Sequence, residues 1–469
     1  MYVYICFDVE DLVCPDADDP ALDIAEALGD DGVTASLCVV GEKARLWERR
    51  GRWDVIAAAK RHDISLHTNL HSMHPVVGEY LADKGWADGV AEAVRQEGPG
   101  ARDLTRIFGR PPTSWGTPGS SWSAQIPAAT RRLGIPSNIY SGAHSGQTGA
   151  CWYAGQLCFS EYTYFPGGED ALCDDAGFEA ALPSLLQQLS EARDQGYACY
   201  GLFAAHPNRL RHTIFWDAVN FVQGYQTPPE EYKLVPRRDL TAYARGIKNL
   251  RRMVAAIRGL PGIEIVGVGP LAERFQSGEG ELTRAQLHDL ARKIVDTGAI
   301  SMEEPLASPA QTLDALLRAS VQLADGWPVS RPVSLRTVLG PAELPPVLEH
   351  TVSISAQQGL YVAQDLVSRI GATGQLPTSV QLGGAQVGPG PLLRAVAAAY
   401  LMLEGGREPS RLDLEPGAEE PARAAELADW RIEQLRGWPP HPLDLPLDRM
   451  KLQTRLQYWS ARPAQLRAS

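Results

Sequence analysis

The chain has 469 residues, of which 44% are hydrophobic, and a formal net charge of −12. That is too long for one ordinary domain and long enough for a sizeable core. The acidic balance argues against nucleic acid and an anionic membrane surface as partners, because phosphate recognition needs clustered Lys and Arg. The opening stretch MYVYICFDVEDL reads as a strand over 2–7 running into an acidic turn. It has neither the charged n-region nor the small-residue cleavage site of a secretory leader. No run approaches the roughly 18 apolar residues of a membrane span, so a cytoplasmic location is expected.

Further short apolar strands are expected at 33–40, 63–67, 197–205 and 263–268. Helical stretches alternate with them: PALDIAEALGDD, WADGVAEAVRQE, AQIPAATRRLG, FEAALPSLLQQLSEARDQ and LTAYARGIKNLRRMVAAIRG. Strand–helix alternation over residues 1–275 predicts an α/β fold, with a parallel sheet covered by helices as a barrel or an open sheet. A Tyr-, Trp-, Gly- and Cys-rich section, 138–175, is expected to be a long ordered loop. Seven cysteines, Cys6, Cys14, Cys38, Cys151, Cys158, Cys173 and Cys199, form no CxxC and are odd in number. They are expected to be buried thiols, with Cys151 and Cys158 the first pair to check for a bond.

Past residue 275 the composition changes. QSGEGE, 276–281, reads as a linker, and a repeat follows. Residues 291–319 align without gaps to 367–395, pairing Thr297-Gly298 with Thr373-Gly374 and the two Leu-Leu-Arg-Ala runs with each other. Each unit reads as helix, Gly stop, turn and second helix. The duplicated helical region is placed at 282–447, as a scaffold, a binding module or a homo-oligomer interface. A final helical tail is placed at 448–469.

The chemistry concentrates at strand ends. ISLHTNLHSMHP holds His67, His71 and His74. Two imidazoles four residues apart converge if the backbone turns after the strand, and neutral imidazole is a common ligand for Zn²⁺. Asp8, Glu10 and Asp11 follow the first strand, and two His with one carboxylate make a familiar catalytic metal set. A spare carboxylate could act as general base. His206 ends the apolar run YGLFAAH and fits the same rim. His74 is read as loop structure.

In this order, FDVED, DISLHTNLH, WGTPGSSWSAQIPAATRRLGI and LFAAH resemble the motifs of the NodB-like polysaccharide deacetylases, carbohydrate esterase family 4. The resemblance covers residues 1–275 and implies a distorted (β/α) barrel. It implies Asp8 as catalytic base and His67 and His71 as metal ligands, with either Glu10 or Asp11 as the acid ligand. His206 would be the general acid. The cofactor would be one divalent ion, Zn²⁺ in the first instance, with Co²⁺ or Ni²⁺ as alternatives. Counted back from Leu133-Gly134, the family's usual Arg falls at Gly116, and Arg110 lies too early to replace it. Trp115, Pro118, Ser121 and Trp122 would form the groove wall. Trp152, Tyr153, Tyr162, Phe215 and Trp216 offer further flat faces, and 212–221 could lid the site.

The expected activity is metal-assisted removal of N-acetyl groups from an amino sugar or polysaccharide, with water deprotonated by Asp8 and the leaving amine protonated by His206. The alternatives are an allantoinase-like hydrolase of a cyclic amide and a catalytically degenerate carbohydrate-binding protein. The partner is then a carbohydrate or small amide. The repeats faintly resemble pseudomurein-binding repeats.

Overall fold

A computed structural model describes residues 1–139, 149–326 and 331–467. Residues 140–148, part of the section expected to be a loop, lie outside the described residues. The first strands are β1 Tyr2–Val9, β2 Ser36–Val39, β3 Asp63–Leu66, β4 Trp115–Gly116 and β5 Ser137–Ile139. They are followed by β6 Ala150–Tyr153, β7 Gln156–Phe159, β8 Tyr162–Tyr164 and β9 Cys199–Ala205. With Glu264–Ile265 and Arg462–Pro463 they make one 11-stranded sheet. Its order is Arg462–Pro463, β6, β7, β5, β4, β3, β2, β1, β9, β8, with Glu264–Ile265 also beside β1.

The pairings from β7 through β5, β4, β3, β2 and β1 to β9 and β8 are parallel. Only β6 runs antiparallel to its neighbours. The fold is therefore mixed α/β, with a barrel-type sheet whose parallel strands end on one rim, where such folds place their sites. β1 is buried from Val3 to Val9, as expected of a parallel strand covered on both faces. Helices Asp18–Asp30, Trp86–Phe108, Gln125–Arg132, Asp175–Asp194 and Leu240–Arg258 form the cover. Each matches a helical stretch read from the sequence.

Two expectations need correction. The 138–175 section is not one long loop. Its described part carries β6, β7 and β8 and a short helix, Gly168–Leu172. The β6–β7 hairpin turns at Ala154-Gly155, both at positive φ (48° and 78°). These strands are only three or four residues long, too short to give a clear period-2 signal. Cys151 and Cys158 lie opposite each other in that hairpin, yet all seven cysteines are free and buried.

The second correction concerns the end of the chain. Residues 424–447, placed with the duplicated region, and the tail placed at 448–469 both pack into the first core. Leu427, Ile432, Leu435, Leu447, Met450 and Tyr458 are buried in the same core cluster as β1, β2 and β3. Arg462–Pro463 closes the edge of the sheet on β6. The repeat region, 282–414, has its own core. Tyr458 belongs to the first cluster and its neighbour Trp459 to the second, so adjacent side chains rivet the two together.

In the repeats, helices Arg284–Thr297 and Ala356–Thr373 end at Gly298 and Gly374, both left-handed (φ 64° and 66°). Thr283 with Gln286 and Ser355 with Gln358 make matching capping boxes at their starts. The second helices are Pro309–Ala324 and Pro389–Glu404, and the second unit adds a hairpin, Val380–Leu382 with Ala385–Val387. Among the described residues, no helix is long and apolar enough to cross a membrane.

Candidate metal centre

β1 and β3 deliver the chemistry. Asp8 and Glu10 stand at the end of β1, and His67 directly follows β3, whose residues pair with β2. After His67 the backbone enters the left-handed region twice without glycine, at Thr68 (φ 61°) and His71 (φ 53°). Such residues are unfavourable and cluster at functional sites. The turn is held by the His71 N–H, which donates to Thr68 Oγ1 at 2.9 Å. It brings the His71 ring back beside His67, with centroids 5.0 Å apart. Asn69 N–H is pinned by Glu97 Oε2 at 2.9 Å. Glu97 also accepts from the Tyr80 hydroxyl at 3.0 Å, and burial pushes its carboxyl up to about 7.

Three ligand-type atoms converge. His71 Nε2 lies 3.0 Å and His67 Nε2 3.5 Å from Glu10 Oε2, and His67 Nε2 is 3.6 Å from Asp8 Oδ2. Ligands at about 2.0–2.1 Å from one tetrahedral ion are separated by roughly 3.4 Å, so these spacings fit. The side chains are almost fully buried: Asp8 6%, Glu10 4%, His67 0% and His71 4% exposed. Both Nε2 atoms and Asp8 Oδ1 are buried without a hydrogen-bond partner. Buried polar atoms left unpaired call for an explanation, and a cation in this cradle supplies one.

The other ring nitrogens fix the tautomers. His67 Nδ1 donates to the Gly116 carbonyl at 3.2 Å. His71 Nδ1 donates to Ser72 Oγ at 2.7 Å, and Ser72 Oγ donates to Asp217 Oδ2 at 2.8 Å. Both Nε2 lone pairs therefore face the cradle, the usual arrangement around a metal-binding histidine. Trp216 Nε1 donates to Glu10 Oε1 at 3.3 Å, which leaves Oε2 toward the histidines. Burial alone would raise the Glu10 carboxyl, but His71 and His206 hold it well below the usual range. Asp8, by contrast, is raised by burial.

His206 follows β9. Its backbone N–H and Nδ1 both donate to Glu169 Oε1, at 2.7 and 2.9 Å. With Nδ1 so held, Nε2 is the atom left for Asp8 and Glu10, with which His206 forms a second group of close ligand-type atoms. Burial would lower its imidazole, but Glu10, Glu169 and Asp8 push it up to about 9. Against the pull of burial, His206 holds Glu169 down to about 2. His206 is thus placed with its Nε2 beside the Asp8 and Glu10 carboxylates, where a proton could be exchanged.

Asp8, Glu10, His67, His71 and His206 come together, and four other expected site residues, Asp11, Trp115, Pro118 and Trp122, do not. Asp11 turns away from the cradle. Its Oδ1 accepts from Val13 N and Cys14 N at 2.8 and 2.9 Å, and its Oδ2 faces His212 Nδ1 at 3.7 Å. Asp11 closes the turn after β1, and Glu10 is the carboxylate that meets the histidines. Asp11, Cys14 and His212 form a further buried cluster, but the Lys43 ammonium sits 2.6 Å from the Asp11 carbonyl and opposes a cation there. Trp115 and Trp122 are fully buried and line no groove. Side chains alternate along β4, so Gly116 faces His67 and Trp115 points the other way, to Glu97 Oε2 at 3.5 Å. Trp122 packs under the Arg431 guanidinium, 5.1 Å from its ring. Pro118 is buried in the same loop, its carbonyl accepting from Ser121 N at 2.9 Å. His74 pairs with Glu79 at 2.6 Å and is loop structure. A Cβ at Gly116 would sit 3.3 Å from His67 Nδ1, so this position is closely packed against the ring.

Ser72, Asp217, Glu169 and Trp438 contact this group, and the motifs did not mark them. Ser72 lies in 64–75, Glu169 in 138–175 and Asp217 in 212–221, all stretches the sequence singled out, whereas no local signal pointed to Trp438.

The fold and site together define an α/β protein carrying a carboxylate–bis-histidine cradle at the rim of a parallel sheet. No family model matches the chain, and no curated protein matches it. Solved structures similar to it include a protein described as a polysaccharide deacetylase from Mycobacterium smegmatis, at 14% identity, covering 58% of this chain and 88% of that one, with TM-score 0.37. Another, so described from Pseudomonas aeruginosa PAO1, is 11% identical, with 58% and 89% coverage and TM-score 0.37. The Puue allantoinase is 12% identical, with 58% and 89% coverage and TM-score 0.36.

Proposed function

We propose that this chain is a metal-dependent hydrolase that removes N-acetyl groups from an acetylated amino sugar or glycan. The observation that carries this reading is the convergence of Glu10 Oε2 with the unpartnered Nε2 atoms of His67 and His71. A Zn²⁺ ion held by these three residues would supply Lewis-acid polarisation of an amide carbonyl and lower the pKa of water. Asp8, raised by burial and next to the cradle, accepts the proton of the attacking water. His206, held by Glu169, donates its Nε2 proton to the departing amine. Trp216 and the Ser72–Asp217 pair keep Glu10 and His71 in place.

The test is hydrolysis of N-acetylglucosamine oligomers, lost on chelation and restored by Zn²⁺ or Co²⁺. Replacing the base, Asp8→Asn, should lower kcat by about 10²–10⁴-fold while leaving bound metal in place. Absence of any metal-dependent activity on acetylated amino sugars would sink the deacetylase reading.

A cyclic amide substrate, as in an allantoinase-like hydrolase, is the second reading. It is favoured by Gly116, which stands where the deacetylase motif carries the Arg that partners its catalytic Asp. A panel setting acetylated sugars against cyclic ureides and imides separates the two.

A further inference from the structure

After the repeats the chain returns to the sheet and crosses beside the cradle. Residues 435–445 form a strap tied to two separate loops. The backbone N–H groups of Gln223 and Gly224 donate to the carbonyls of Pro439 and Pro440 at 2.8 and 3.0 Å. On the other side His441 Nδ1 donates to the Leu435 carbonyl at 2.5 Å, which leaves Nε2 to accept from Ser121 Oγ at 2.8 Å. Ser121 Oγ in turn accepts from Gly78 N at 2.9 Å. Between these anchors stands Trp438, only partly buried. Its ring meets the His71 ring edge-on, with centroids 5.5 Å apart, and the His441 ring at 5.1 Å.

The loop opposite is shaped to this indole. Gly119, at φ +50°, lies so close that an added Cβ would stand 2.3 Å from Trp438 Nε1. A partly exposed indole packed edge-on against a proposed ligand of the ion is more than core packing, because a core aromatic would be closed off on every side. The Glu10 side of His71 is already walled by Trp216, whose ring is 5.8 Å away.

We infer that Trp438 is a substrate-binding residue of the metal centre, forming the wall on which a single ring of the substrate packs. This rests on the metal-centre reading above. The strap supplying it comes from the far end of the chain, so the region after the repeats completes the site. Because the strap joins the 119–121 and 223–224 loops, it closes that side. The substrate class this favours is a small ring-bearing amide or the end residue of a glycan, rather than the middle of a long polymer.

Hydroxamates anchor on a metal without needing turnover, so they test this with the full-length Co²⁺-loaded protein. Binding of benzohydroxamate and of acetohydroxamate is followed through the Co²⁺ d–d absorption. Wild type should favour the ring-bearing ligand by about 5- to 10-fold, the range of one aromatic contact. Trp438→Ala should remove that preference while keeping Co²⁺ stoichiometry and the ligand-free spectrum, and Trp438→Phe should keep most of it. An unchanged preference in Trp438→Ala, or none in wild type, overturns the inference and leaves the metal centre standing. Failure of wild type to bind Co²⁺ sinks both together.

Discussion

Both cores of this protein bury polar side chains, but to different ends. In the repeat region the buried Ser308 and Gln311 cap a helix start, and Thr312 donates back to the Ser308 carbonyl. Asp314 accepts from Arg318 and Arg336, at 3.1 and 2.9 Å. At the rim of the sheet the buried groups instead aim unpaired nitrogens at a shared carboxylate. Among the described residues, no group of converging ligand-type atoms falls in the repeats. Burial of polar atoms thus separates the two regions less than their direction does. The repeat core also leaves single atoms such as Ser320 Oγ and Tyr400 Oη unpaired, but at the rim several such atoms face one another.

The contrast can be broken most sharply at Glu10. Glu10→Ala removes the carboxylate shared by both histidines, so the protein should lose its bound ion on dialysis, read by metal analysis, while its circular dichroism stays native. Retention of a full equivalent of metal would show that the cradle is elsewhere. A smaller effect is expected one step out. Asp217→Ala frees Ser72 from its acceptor and loosens His71, and metal affinity should fall by about 10–100-fold in a competition titration with a chromophoric chelator.

The strap gives a pH-dependent version of the comparison. Burial depresses the His441 imidazole to about 4. A folded-state value below the unfolded one, about 6.5, means that the unfolded chain binds the proton more readily. Stability from this group is therefore complete above about pH 6.5 and is lost as pH falls toward 4. Between pH 7 and 5 the wild type should lose on the order of 2 kcal/mol relative to His441→Gln, measured by urea unfolding at each pH. A constant gap between the two proteins would mean that His441 is not held neutral by docking. The smallest effect belongs to the repeats. Gly298→Ala and Gly374→Ala, both at left-handed helix ends, should each cost about 1–2 kcal/mol and leave metal content untouched. A loss of metal in either would couple the regions in a way the separate cores do not suggest.

Much of the site was legible because its ligands sit within a few residues of strong strands. Asp8, Glu10 and His67 are placed by β1 and β3, whose apolar runs leave little doubt about where each strand ends. His71 was reachable only through its spacing, since the two left-handed turns that carry it back leave no mark in the amino-acid pattern. Trp115 was misplaced by one position: its neighbour Gly116 owns the inner face, and alternation sends the tryptophan outward. Glu10 and Asp11 could not be separated in the sequence, because only the turn after β1, where Asp11 accepts from Val13 N and Cys14 N, decides which carboxylate faces the histidines. Trp438 and residues 424–461 were invisible as site elements, since nothing local records that a segment beyond 130 residues of repeats folds back onto the first core. Such pairings are fixed by tertiary burial alone.

That return has a consequence for how the protein is made. Chains emerge from the N-terminus and fold domain by domain. The proposed ligands are all synthesised by His71, whereas Trp438 and the strand Arg462–Pro463 follow the repeats. The first core therefore stays incomplete until the repeats have been made, and the β6 edge of its sheet is covered only after them.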